Sequence, residues 1–251
     1  MQQRHLAYRM IIVLLVMVAG GLAIAAFHYK KNSDALWQIV SEKCVPGMVR
    51  QGTPAPCQRV DLQHGYATLK DLNGPLQYLL IPLKKISGIE SPALLSPSAP
   101  NFFLFAWQAR GLLAVRRGLP IKDSALSLAI NAKYGRTQNQ LHIHISCLRP
   151  DVRKRLDELA PQLVSHWRKE SLRGHQYLLR TLSVSELAQQ SAFVRLAGEI
   201  PNARSEMGKY GLALAMLPDG RLVLMAIKRN WLMLNRSAEE IQDHGCQILQ
   251  A

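Results

Sequence analysis

Residues 141–147 read Leu-His-Ile-His-Ile-Ser-Cys. Polar and apolar side chains alternate with period two, so as a strand they divide onto two faces. Leu141, Ile143, Ile145 and Cys147 make a face that must be buried. His142, His144 and Ser146 make the other, spaced about 6–7 Å apart at ~3.3 Å per residue. A strand of this kind predicts a sheet with a hydrophobic layer behind it and a row of three hydrogen-bonding groups in front.

The rest of the chain supplies partners for that strand. Tyr66–Leu69 and Gln77–Ile81 read as strands joined by the turn residues Asn73-Gly74-Pro75. Ala125–Ile130, Gln140–Cys147 and Tyr177–Leu182 read as further strands. Gly211–Leu217 and Leu222–Ile227 flank Pro218-Asp219-Gly220, a hairpin signal. Helices are expected after Ser33, from Asn101 to about Arg117 with Phe102, Phe105 and Trp107 in the core, and from Pro150 to about Trp167. Two capping boxes, Ser183-x-x-Glu186 and Ser237-x-x-Glu240, predict two more, the second of them the final helix. Val45–Pro56, rich in Pro, Gly and Gln, has neither helix nor strand character. Strands and helices are mixed and hairpin connections are frequent, which predicts an antiparallel α+β fold.

Composition narrows the function. With 251 residues, 48% of them hydrophobic, the chain is not a disordered tail. Its net charge is +14, and Arg4 and Arg9 are the sole Lys or Arg residues before position 28. The folded part is therefore basic, suited to anionic lipid, nucleic acid or a polyphosphate substrate. Met10–Phe27 carries no charge and would reach about 27 Å as a helix, close to the ~30 Å of a hydrocarbon layer. An uncleaved membrane anchor is the preferred reading. A cleaved signal peptide, with Ala23-Ile24-Ala25 as its processing site, is the rival. Either one exports the remainder. Of the four cysteines, Cys44 and Cys57 bracket the Val45–Pro56 loop. A disulfide there suits an exported protein, against two unrelated thiols in a reduced one.

Three readings of the histidine row are open. The plainest is two surface or core histidines on a strand. A His-x-His pair can also supply two zinc ligands, although no third ligand stands out. Finally, a histidine supported by its neighbours can be a nucleophile. The segment resembles the histidine-triad (HIT) signature, three histidines alternating with apolar residues, with Ser146 in the last position. Asn131, Gln138 and His142 match the family's Asn…Gln…His spacing. Asp71-Leu72-Asn73-Gly74-Pro75 followed by Tyr78–Pro82 is similar to its acidic residue, turn and strand. Across nearly the whole chain, DLNGPLQYLL, PNFFLFAWQAR, GRTQNQLHIHISCLRPDVR, LRGHQYL and EEIQDHGCQIL resemble the bacterial CDP-diacylglycerol pyrophosphatases.

That resemblance implies a HIT-like antiparallel sheet with flanking helices over residues 32–251, preceded by a tail and transmembrane helix over 1–31. It implies hydrolysis of CDP-diacylglycerol to CMP and phosphatidate, with His144 as nucleophile and His142 supporting it. Ser146 stands where a third histidine would. Serine brings no positive charge, but phosphatidate, with a second pKa of roughly 6, can leave without full protonation. Asn131 and Gln138 match residues that bind phosphates, and Asp71 matches one that holds ribose hydroxyls, with a shorter gap to its Ile-Pro dipeptide. Arg136, Lys133 and Arg149 flank the motif and are available to neutralise the diphosphate. No cofactor and no metal is called for. The expected partners are the lipid nucleotide and the bilayer, with the domain on the periplasmic side of a bacterial inner membrane. The alternatives are a HIT-type hydrolase or transferase of soluble nucleotide diphosphates, or a non-enzymatic binder of anionic lipid or nucleic acid. The chain lacks the aromatic–basic interleaving of RNA-binding modules. His175 and His244 are read as structural.

Overall fold

The computed structural model describes residues 10–21, 33–230 and 237–250. One antiparallel sheet organises them. Its strands are β1 (Arg59–Asp61), β2 (Tyr66–Lys70), β3 (Tyr78–Pro82), β4 (Leu126–Ile130), β5 (Ile143–Leu148), β6 (Arg168–Leu172), β7 (His175–Leu182), β8 (Tyr210–Met216), β9 (Leu222–Lys228) and the two-residue β10 (Gln242–Asp243). The order across the sheet is β1-β2-β3-β5-β4-β8-β9-β7-β6, and β10 joins β5. This is the antiparallel α+β architecture that the alternation predicts.

The register explains where the histidines sit. Ile143, Ile145 and Cys147 face the larger hydrophobic layer, together with Phe102, Phe103, Trp107, Phe193 and Leu214. The helices Phe102–Ala109 and Ala192–Glu199 cover that side. Asn101 caps the first of them, accepting a hydrogen bond from the Leu104 N–H at 3.2 Å. The opposite face carries two smaller cores. Leu36, Val40, Leu69 and Leu79 form one, and Ala129, Val152, Leu156 and Met225 form the other. His144 lies directly opposite Leu79 on β3 and Ala129 on β4. It therefore stands in the gap between these two cores.

β10 pairs Asp243 with Cys147 and Gln242 with Leu148. It takes up the edge of β5 beyond the point where β3 begins at Tyr78. A disulfide between Cys147 and Cys246 ties the same segment to β5. The turn before β3 packs against it. Gly74 has φ +65°, and a Cβ there would collide with the His244 carbonyl oxygen, so both the backbone conformation and the space require glycine.

Three local expectations are corrected. Val45–Gln51 is helical, continuing Ala35–Gln38 and the wider Ile39–Cys44 turn. Pro46 is the second residue of Val45–Gln51, just after the wider turn ends, and the Cys44–Cys57 disulfide that the loop reading anticipates ties the start of this helix to the loop that follows it. The helix from Pro150 ends at Leu159 and tightens through Gln162. Pro161 removes the next backbone donor, and Trp167 instead leads into β6, donating to Glu199 at 2.8 Å. The second capping box does not form. Ala238–Ile241 is a short 3₁₀ turn without a side-chain cap; the Ser237 hydroxyl turns to Asn131 Oδ1, to which it donates at 2.8 Å, and the Glu240 carboxylate that would complete the box accepts from His175 and Tyr177 instead. His244 accordingly follows β10 rather than lying in a final helix. The first capping box, at Ser183, forms with both of its bonds.

Residues 10–21 are helical, and residues 22–27 of the apolar run lie outside the described residues. Among the described residues no helix is long and apolar enough to cross a membrane.

Candidate active site

The chain is pinned just before the histidine row. The Gln140 side chain accepts from the Ile86 N–H at 3.2 Å and donates to the Pro82 and Lys84 carbonyls at 3.0 and 2.9 Å. Its own carbonyl lies 2.7 Å from His142 Nδ1. A carbonyl accepts and never donates, so His142 carries its proton on Nδ1 and presents Nε2 as an acceptor. Burial, reinforced by the neighbouring His144, pushes its pKa down to about 4. The two rings meet edge to face with centroids 4.9 Å apart.

His144 is held differently. Its Nδ1 lies 3.2 Å from Gln77 Nε2, 3.3 Å from Glu239 Oε1 and 3.8 Å from Asp71 Oδ2. Its Nε2 is buried and has no hydrogen-bond partner among the described residues. Burial lowers the His144 pKa, while the Glu239 and Asp71 carboxylates oppose that shift. Glu239 is itself desolvated, which favours its neutral form. The His244 hydrogen bond, the charge of His144 and the Asn131 amide outweigh this and hold it at about 2. His244 Nε2 lies 3.0 Å from the same Oε1, and this bond raises the His244 pKa.

A cavity of about 500 Å³ opens over the row. His142, His144, Asp71 and Gln138 line it on the polar side, and Leu36, Ile39, Leu69 and Leu79 on the apolar side. The volume is in the range of pockets that hold one nucleotide-sized ligand, ~300–1,000 Å³. A second cavity of about 530 Å³ lies beside Tyr66 and Phe105. No member of the histidine row lines it, so the smaller one is where the chemistry converges.

The fold therefore gathers His144, His142, Asp71 and Gln138. Asp71 accepts from the Asn73 N–H at 2.9 Å and from Gln77 Nε2 at 2.7 Å. Gln138 Oε1 accepts from the Leu36 N–H at 3.1 Å, joining the first helix to the cavity. Three other expected residues stand apart from the cavity wall. Asn131 turns to Glu239, donating to Oε2 at 3.0 Å. Ser146 is fully buried opposite Ser127, with its hydroxyl unpartnered among the described residues. Arg136 makes a bidentate pair with Glu90 at 2.7 Å on both arms. Of the flanking cations, Lys133 lies over the Tyr134 ring and Arg149 pairs with Asp151.

Gln77, Glu239 and His244 escaped the sequence reading. Gln77 and Glu239 lie in stretches read as a strand start and a capping box, local roles that hide a long-range one. His244, read from the sequence as structural, falls where the final helix is expected and follows β10 instead. Among the described residues no group of three or more His, Cys, Asp and Glu side chains has the arrangement of a metal site.

A family model described as CDP-diacylglycerol pyrophosphatase matches residues 31–250. The match makes the protein a hydrolase acting on a diphosphate bond. The chain belongs to the CDP-diacylglycerol pyrophosphatase family, whose substrate is the lipid nucleotide CDP-diacylglycerol. Among solved structures the chain is similar to a HIT family hydrolase from Clostridium thermocellum. The two are 21% identical, the match covers 43% of this chain and 93% of that one, and the TM-score is 0.31.

Proposed function

We propose that His144 is the nucleophile of this hydrolase and that the reaction passes through a cytidylyl-histidine. The observation that carries the reading is the His144 ring itself. Its Nδ1 is engaged by side chains, and its Nε2 is left without a partner in a ring that lines a nucleotide-sized cavity. The Nε2 lone pair attacks the cytidine-side phosphorus, and the P–O bond to phosphatidate breaks with its electron pair leaving on that oxygen. Water then attacks the same phosphorus, the P–N bond returns its pair to Nε2, and CMP departs while the water proton passes to solvent. Two displacements replace one difficult hydrolysis. His142 packs edge-on against the nucleophile and offers Nε2 as an acceptor. Asp71 and Gln138 are placed to meet the ribose and the phosphates. Rapid acid-free quenching with labelled substrate should leave a nucleotidyl label on residue 144 that is released by mild acid; a label elsewhere would overturn this mechanism.

The nucleophile must be neutral, which fixes the sign of the pH dependence. Burial moves the His144 pKa below its ordinary 6.5. The acid limb of kcat/KM is therefore expected below pH 6.5, with activity holding as the pH falls through the ordinary histidine range. A pH profile whose acid limb lies at or above 6.5 contradicts the assignment.

The cavity can take the nucleotide diphosphate but not two fatty chains as well, so the acyl part stays in the bilayer and the site works at a lipid surface. Residues 1–31 serve as tail and single transmembrane anchor, and residues 32–251 as the catalytic domain. Residues 28–34 span at most about 25 Å when extended, and Ala35 already lines the cavity. Both pairs of cysteines are oxidised, which favours the periplasmic side of the inner membrane. Leu72, fully exposed at the cavity rim, enters the lipid. Nearby Arg116, close enough to lower the Lys70 pKa after burial has done so, meets anionic headgroups. Burying one leucine contributes about 2 kcal/mol. Leu72→Asp is thus expected to slow hydrolysis of CDP-diacylglycerol in vesicles at least about tenfold and to leave a soluble CDP-alcohol unaffected. Equal losses on both substrates would remove the membrane role of Leu72.

A further inference from the structure

We infer that Glu239 is a positioning residue for His144, its carboxylate accepting the Nδ1–H so that Nε2 keeps its lone pair. The inference rests on His144 being the nucleophile. Two neighbours compete for Nδ1: the Gln77 amide nitrogen at 3.2 Å, a donor, and Glu239 Oε1 at 3.3 Å, an acceptor. If Nδ1 accepted from Gln77, Nε2 would carry the proton and could not attack. Gln77 already donates to Asp71 Oδ2 at 2.7 Å, whereas Asp71 and Glu239 together surround Nδ1 with negative charge. That field favours a proton on Nδ1.

Glu239 is itself aligned by a chain of bonds that leaves no freedom of direction. The Glu239 N–H and the Ser237 hydroxyl both donate to Asn131 Oδ1, at 3.2 and 2.8 Å. That fixes the Asn131 amide, whose Nδ2 must then point at Glu239 Oε2, 3.0 Å away. Oε1 is left between His144 on one side and His244 on the other. The whole segment is fastened to the strand that carries His144, through β10 and the Cys147–Cys246 disulfide. Asn131, expected at the phosphates, acts here through Glu239.

A carboxylate shared by two imidazoles also couples them. The ionisable groups around His144 are His142 on its own strand, Asp71 at the end of β2, and Glu239 and His244 from the carboxy-terminal segment; Gln77 is the uncharged fifth neighbour. Of these, His244 is the one that reaches solvent, being about one-third exposed. Its positive charge lowers the His144 pKa, so its removal should raise it.

The test is Glu239→Gln in the full-length enzyme. Asn131 Nδ2 must keep an acceptor, so the new amide turns its oxygen to Asn131 and its NH₂ to His144. That NH₂ donates to Nδ1 and drives the proton to Nε2. We expect kcat to fall by about 10⁴, the size seen when a catalytic histidine's carboxylate partner is removed, with KM changed by no more than about threefold. The ¹⁵N spectrum of His144 should report the Nδ1–H tautomer in the wild type and the Nε2–H tautomer in the variant. Glu239→Asp should recover part of kcat, and His244→Gln should move the acid limb of kcat/KM to higher pH. The inference is overturned by a Glu239→Gln enzyme that keeps kcat within about threefold, by an unchanged tautomer, or by an acid limb that stays put or moves down in His244→Gln. A dead His144→Ala enzyme beside an unimpaired Glu239→Gln enzyme would sink this inference alone. An active His144→Ala enzyme would sink the nucleophile and this inference with it.

Discussion

His144→Ala should lower the rate of CMP release from CDP-diacylglycerol by about four to six orders of magnitude. Losses of this size follow removal of a nucleophile or its proton-transfer partner in a covalent mechanism. What remains reflects binding and the surrounding dipoles. The fold should survive. The ring borders an existing cavity, its Nε2 has no partner among the described residues, and burial disfavours its charged form. Truncating it removes few packing contacts while leaving β5 and its register with β3 and β4 in place. The change in stability is expected to stay within about 1–2 kcal/mol, read by urea unfolding beside the rate measurement. A folded variant that still turns over at more than about one hundredth of the wild-type rate would assign the attack to another group, and His142 would be the first to examine.

The second large effect concerns Cys147–Cys246. This bridge closes a separation of 99 residues, and Cys44–Cys57 one of 13. In the chain-entropy picture the long loop contributes roughly 4.7 kcal/mol and the short one roughly 3 kcal/mol. Replacing both cysteines of the long bridge by serine should therefore destabilise the protein more than the same change in the short one. The two variants should differ in activity as well. Cys246 anchors the segment that brings Glu239 and His244 to His144, whereas Cys44 and Cys57 stabilise a helix on the apolar wall of the cavity. At a temperature where both variants are folded, the Cys147→Ser/Cys246→Ser enzyme should lose most of its kcat, and the Cys44→Ser/Cys57→Ser enzyme should retain more. A reversed order of midpoints in urea, or full turnover without the long bridge, would show that the carboxy-terminal segment holds its place without it.

Both expectations turn on how far apart in sequence the contributing residues are. The histidine row was legible because its information is local. A strand repeats every two residues, so residues 141–147 declare which side chains share a face before any partner is known. The same holds for the Asn73-Gly74 turn, the Pro218-Asp219-Gly220 hairpin, the Asn101 cap and the Ser183 capping box, all of which formed. The errors were local as well. Composition alone reads Val45–Pro56 as structureless, whereas Val45–Gln51 extends a helix that starts upstream, with Pro46 directly after its wider turn. Ser237-x-x-Glu240 has the letters of a cap, but both of its side chains are drawn to distant partners, Ser237 to Asn131 and Glu240 to His175 and Tyr177.

The amino-acid sequence alone determined the alternation of β5, the antiparallel α+β class, the row His142–His144 and, by resemblance, the reaction. Tertiary structure decided which nitrogen of His144 lacks a partner among the described residues, that Glu239 lies against the other, and that Asn131 and His244 both bond to that carboxylate. The reason is that strand faces and turns are set by backbone geometry between neighbours. The protonation of a buried ring is set by whatever charge the fold brings within about 4 Å, and here that charge comes from Asp71 and Glu239, 73 residues before His144 and 95 after it (144 − 71 and 239 − 144).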